Sequence, residues 1–165
     1  MLPTSYISLN SKTLARIAFI QYIYKCKLLS LKPFKDDGVK SALSIFNKNI
    51  FCEAFGVSDK CNSSPNLKHL DNILEGYISS SRDILHIIDT NLEREGRISS
   101  LHITLLSVII GGVTELSKCQ DIPHKVVIRE YCDIASEMLA SLSEVDFVNY
   151  ILDKIHKKLS NETTK

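Results

Sequence analysis

The sequence predicts an all-α protein of six or seven helices, and three observations carry that expectation. Apolar residues recur at helical spacing in segment after segment, and no segment alternates with period two for long enough to make a strand. The 165 residues include only six Gly and four Pro, few for an all-β chain with many tight turns. Hydrophobic residues make up 44% and charged residues 24%, the balance of a globular domain rather than a disordered chain. A chain of this length can bury about 70% of its unfolded surface, so a core does not need disulfides. The expected organisation is a flexible segment over 1–10, one helical domain over 11–160 and a flexible tail over 161–165.

The elements follow in order. Ser11 is the expected N-cap of a first helix over 12–30. Leu14, Ile17, Ala18, Phe19, Ile20, Tyr22, Ile23 and Tyr24 make it apolar over much of its circumference, so it should be largely buried, Tyr24 included. Lys12 and Arg16 stand at i, i+4 and should share one exposed face. Pro33 breaks the chain. A second helix should follow Asp36-Asp37, keep period through Val39, Ala42, Leu43, Phe46 and Ile50, and stop near Gly56. Residues 57–66 read as loop. A third helix, bent or split, is expected over Leu67–Asp89, with a stripe of Leu67, Leu70, Leu74, Tyr77, Ile78, Ile84, Leu85 and Ile88.

After Gly96 comes the segment expected to be the central, most buried helix, over Ser99–Ser117 and capped by Ser99 or Ser100. Its interior pair Gly111-Gly112 costs about 1–2 kcal/mol relative to Ala, so another helix should approach closely there. Asp121-Ile122-Pro123 should start a fifth helix, with Asp as cap and Pro in the first turn. Ser143-Glu144-Val145-Asp146 resembles a capping box for a last helix over Val145–Leu159. In that helix Val148, Ile151, Leu152, Ile155 and Leu159 recur at helical spacing.

Several functional classes are excluded by what the chain lacks. The uncharged run Ile98–Thr114 carries His102, Ser, Thr and a Gly pair, so it reads as a core helix rather than a membrane span. The N-terminus does not read as a secretion signal, and the expected location is cytoplasmic. Cys26, Cys52, Cys61, Cys119 and Cys132 are odd in number and show no C-x-x-C, as expected of free thiols in a reducing compartment. There is no phosphate-binding Gly-Lys-Ser/Thr loop, no G-x-G-x-x-G after a strand, no H-E-x-x-H and no G-x-S-x-G. No enzyme activity, catalytic residue, metal site or cofactor is therefore expected.

Charge is informative in its distribution. The net charge is only +1. Residues 1–35, however, hold six cations (Lys12, Arg16, Lys25, Lys27, Lys32, Lys35) and no acid, which leaves the remainder net acidic. A basic end on an acidic body suits either a polyanion or a solvated helix face.

Two C-terminal stretches resemble a known family. The first is Glu115-Leu116 … Asp121-Ile122-Pro123-His124-Lys125-Val126-Val127-Ile128-Arg129-Glu130. The second is Phe147-Val148-Asn149-Tyr150-Ile151-Leu152-Asp153-Lys154. In order and spacing they resemble the E-L … P-x-K-V-x-I-N-E and F-V-N-G-V-L-D-K patterns of the bacterial transcription antitermination family NusB. Ala15-Arg16 … Gln21-Tyr22-Ile23-Tyr24 is similar to the family's basic first helix. The departures are specific. Thr13 and Leu14 stand where further basic residues are common, Arg129 replaces the Asn of I-N-E, Tyr150 replaces the Gly after F-V-N, and Asp146 replaces a frequent Lys. Leu105, Leu106 and Ile110 occupy central-helix positions that are often charged.

The resemblance implies two packed three-helix bundles that bind the single-stranded boxA element of ribosomal RNA leader transcripts. It implies NusE, a ribosomal small-subunit protein, as partner, the RNA polymerase elongation complex as destination, and read-through of terminators in rRNA operons as function. No membrane partner is implied. Carried over residue by residue, the RNA-binding set is Lys12 and Arg16 for phosphates, Phe147 for stacking a base and Asn149 for a base edge. Two alternatives are a helical protein–protein adaptor without RNA specificity and the NusB-like RNA-binding domain of rRNA methyltransferases. The latter more often reads V-L-R where this chain has Leu152-Asp153-Lys154, and it continues into a catalytic domain, whereas six residues follow Leu159 here.

Overall fold

A computed structural model of the chain describes residues 10–33, 38–46, 64–93 and 97–163. These form six α-helices: α1 (Ser11–Leu28), α2 (Gly38–Ile45), α3 (Leu67–Asn91), α4 (Ile103–Lys118), α5 (His124–Met138) and α6 (Leu142–Thr163). A 3-10 turn, Ile98–Ser100, precedes α4, and no strand occurs among the described residues. The all-α expectation holds. Residues 1–9 and 164–165, the expected continuation of the second helix to Gly56, and the loop up to residue 63 lie outside the described residues. α6 carries helix into the 161–165 stretch expected as a tail.

The helix starts differ from those expected. Asn10, not Ser11, caps α1: its Oδ1 accepts from the N–H groups of Lys12 and Thr13, both at 2.9 Å. Asn and Ser are near-equal caps, so the sequence could not separate neighbours. Ser99 and Ser100 do not cap α4 but sit in the 3-10 turn, where Ser100 Oγ donates to Arg97 O at 2.7 Å. The cap is His102, whose Nδ1 accepts from Leu105 N–H. Asp121 does not cap α5, which has Pro123 at its N-cap and no side-chain cap there. The expected bend in α3 is present at Ser80 (φ −135°, ψ 23°).

The capping box of α6 lies two residues earlier than expected. Glu144 Oε2 accepts from Ser141 N–H at 3.1 Å, and Ser141 Oγ accepts from Glu144 N–H at 3.4 Å. His102 also contacts Glu144, so one imidazole caps α4 and holds the box of α6. Ser141→Ala should cost about 1 kcal/mol by loss of this cap, readable as a fall in Tm of about 2–4 °C. Ser143→Ala should lower Tm less than Ser141→Ala, because its Oγ touches only the Ser141 hydroxyl, at 3.0 Å.

α1, α2 and α3 pack on one another, as do α4, α5 and α6, which matches the expected pair of three-helix bundles. α4 joins them by packing on α1 and α3 as well. It is buried without a break from Leu105 to Glu115, so the reading of this segment as the central helix holds, with its start moved to Ile103. Leu105, Leu106 and Ile110 belong to the core. The Gly pair is a packing device: a Cβ on Gly111 would stand 2.6 Å from the Tyr131 ring of α5, and one on Gly112 2.7 Å from Leu152 of α6. Two expected core groups are outside: Tyr24 is 38% and Leu67 56% exposed. Cys26 and Cys119 are buried free thiols and Cys132 is a half-buried one. Among the described residues no helix is long and apolar enough to cross a membrane, and no three His, Cys, Asp or Glu are grouped to hold a metal.

Candidate nucleic-acid interface

The site begins at the N-terminus of α1. Lys12 is exposed there, in a first turn without acids. A cation at this end opposes the helix dipole, so Lys12 does not owe its place to helix stability. Arg16, one turn on, does the opposite of what was expected. It is 1% exposed and points into the protein. The i, i+4 spacing puts Lys12 and Arg16 on the same side of α1, but α4 and α5 cover that side one turn in.

Arg16 is the centre of a buried ion cluster. Its Nε donates to Glu115 Oε2 at 2.9 Å and its Nη2 to Oε1 at 2.6 Å, while Nη1 donates to Glu130 Oε2 at 3.0 Å. Thr13 Oγ1 donates to the same Glu130 oxygen at 2.7 Å. His69 of α3 brings Nε2 to 3.3 Å from Glu115 Oε1. Glu115 is fully buried. Burial opposes its charge, but the contacts of His69 and Arg16 and their charges outweigh that and hold the carboxyl below its usual range. Burial likewise opposes the Arg16 cation, and the Glu115 contacts raise its pKa further above its ordinary value. Burial, followed by the Glu115 charge, pushes the Tyr131 hydroxyl well above its usual range. A guanidinium held this way fastens α1 to α4 and α5. It is a positioning group, and the phosphate role expected of Arg16 is withdrawn.

Glu115 and Glu130 open and close one family-like stretch and Arg16 belongs to another, and nothing in either motif says that the three form one cluster. The available signal was an Arg inside an otherwise apolar arc and a Glu ending a long uncharged run. Buried charges are seldom left unpaired, so each implied a partner.

The other expected residues are on α6. Phe147 is in its second turn rather than its first, because the capping box starts the helix earlier. Its ring is half-buried and packs on the edge of the core. Asn149 is exposed. It lines a groove of about 770 Å³ between α5 and α6, together with Lys125, Arg129, Asp146 and Tyr150. Lys12 and Asn149 therefore belong to different three-helix bundles. Glu130 of α5 holds the start of α1 through Thr13 and Arg16.

Comparisons with known proteins agree with one another. The model of the family described as "NusB family" matches residues 13–157. A transcription antitermination protein NusB of Rickettsia felis is 33% identical over 147 residues, covering 89% of this chain and 92% of that protein. The protein of the same name from Rickettsia conorii is 32% identical over 151 residues, covering 91% and 94%. A solved structure of T. maritima NusB matches with a TM-score of 0.66 at 20% identity, covering 88% of this chain and 90% of that one, a likeness of fold.

Proposed function

The chain belongs to the NusB family of transcription antitermination proteins, and from that premise we propose that it binds boxA-type single-stranded RNA together with NusE and joins the RNA polymerase elongation complex in rRNA operons. The observation that carries the reading is the family match, which runs through both helix bundles from residue 13 to 157. The surface supports it in three places. Lys12 offers an exposed cation where the helix gains nothing from it, Phe147 offers a partly accessible ring, and Asn149 offers an amide on the same helix.

With Arg16 turned inward, Lys12 is the phosphate contact left from the expected pair. RNA affinity of the isolated chain should therefore be weak and be strengthened by NusE. The test is binding of a labelled boxA RNA across a salt series, with and without NusE. Lys12→Ala should flatten the plot of log affinity against log salt by about 0.7, the share of one phosphate on a single strand. Phe147→Ala should weaken binding by about 1–3 kcal/mol if the ring stacks on a base. Loss of about 3–5 kcal/mol of fold stability instead would mark it as a core residue. No preference for boxA RNA under any condition would sink the reading.

One observation favours a second reading, a protein adaptor without RNA specificity. Tyr24, Leu28, Leu29 and Leu31, clustered at the end of α1, are 38–54% exposed, an apolar surface suited to a protein partner. An adaptor would form the NusE complex and show no RNA sequence preference.

A further inference from the structure

Two residues that depart from the family pattern, Arg129 and Tyr150, are 21 positions apart in the chain and line one groove in the fold. We propose that this α5–α6 groove holds an unpaired nucleotide of the bound RNA, with the base on the Tyr150 ring and the phosphate on the α5 wall at Lys125 and Arg129. The proposal rests on the RNA-binding reading above and adds a subsite to it.

The groove has the size and the chemistry. Its volume of about 770 Å³ is in the range of small-molecule sites. Tyr150 is 49% exposed, a large flat group left uncovered. Lys154 Nζ lies 5.4 Å from the centre of that ring and donates to Asn91 O at 2.9 Å, which fixes the lysine beside the ring. Lys125 and Arg129 are one helical turn apart on the exposed face of α5. Arg129 is only loosely drawn to Asp133, at 3.8 Å with its side chain 84% exposed, so it can turn to a ligand.

The placement of the charged groups gives the direction of the nucleotide. Asp146 and Asp153 both stand on α6, and Asp153 is engaged by Lys157 at 2.5 Å. The lining cations Lys125 and Arg129 both stand on α5, so a phosphate is drawn to that wall, while the base lies on the α6 wall that carries Tyr150 and Asn149. An apolar peptide in the same groove would desolvate Lys125 and Arg129 without pairing them. A nucleotide uses the ring and the cations together. The groove also takes in one residue of the candidate interface, because Asn149 is in its wall.

The experiment is anisotropy titration of a fluorescein-labelled single-stranded boxA RNA with the full chain and NusE, using Tyr150→Ala, Tyr150→Phe, Arg129→Ala and Lys12→Ala. Tyr150→Ala should weaken binding by about five- to hundred-fold, the loss of one stacked base, and Tyr150→Phe should bind like the parent. Arg129→Ala should flatten the salt slope by about 0.7. If Tyr150→Ala fails to fold, Arg129→Ala carries the test alone. Parent-like binding and slope in the Tyr150 and Arg129 variants, while Lys12→Ala still flattens the slope, would overturn the subsite and leave the RNA reading standing. Absence of RNA binding by the parent would overturn both. Tyr150→Ala that spares RNA affinity but breaks the NusE complex would assign the groove to a protein and overturn the proposal.

Discussion

Arg16→Met is expected to destabilise the protein by about 3–5 kcal/mol, because it leaves a buried carboxylate without its counter-ion. Glu115 has no solvent to turn to, and His69 offers one ring nitrogen at 3.3 Å where Arg16 makes three contacts. Glu115→Leu should cost a similar amount by stranding the guanidinium, which then keeps only Glu130. The double variant should recover most of the loss, since two apolar groups of similar volume remove both desolvation penalties. Denaturant titration of the four proteins gives the coupling directly. Additive losses in the double variant would show that the pair is not what holds α1 to α4.

The same cluster sets a pH dependence. The folded Glu115 carboxyl ionises below its ordinary value of 4.5, so the unfolded chain takes up its proton first as the medium is acidified. The contribution is therefore complete above the ordinary carboxylate range and is lost as pH falls through the lower folded value. Glu115→Leu should remove this part of the acid sensitivity, and an unchanged acid limb in that variant would place it in other carboxylates.

Gly111→Leu should overpack the contact between α4 and α5 at a cost of about 1–3 kcal/mol, a fall in Tm of about 2–12 °C. The first added carbon already meets the Tyr131 ring at 2.6 Å, and Tyr131 is fully buried, so the ring cannot swing away. Gly112→Leu should be the milder change, because its neighbour is the end of the Leu152 side chain, which has other rotamers. Unchanged melting in both variants would mean that the Gly pair does not set the helix spacing.

Much of this architecture was legible from spacing alone. The periodic stripes of α3, Leu67 apart, and of α6 lie where the apolar residues placed them, because a 3.6-residue period leaves a long amphipathic helix one way to bury its face. The central position of α4 followed from a long uncharged run that needed covering on every side, and the Gly pair marked the close approach of neighbours. Helix starts were less legible. Ser99, Ser100 and Asp121 were all plausible caps, yet His102 and Pro123 hold those positions. Ser and Asp are favoured caps and His and Pro are not, so local pattern points to the wrong residues at both starts.

The candidate site divides along the same line. Lys12 is on the surface, as expected of that face of α1, and Asn149 is exposed on α6. Arg16 has the same polarity and lies inside. The period of α1 specifies which residues share a side, but the depth of each turn depends on where α4 and α5 end, and no local pattern records that. Nor does the chain record that Glu115 and Glu130 converge on one guanidinium, or that Arg129 and Tyr150 share a groove. Local pattern determines helices and their apolar faces because both arise from contacts within a few residues. Which charges become partners is decided by packing between helices about 100 residues apart in the chain, because a charge that packing buries must be paired.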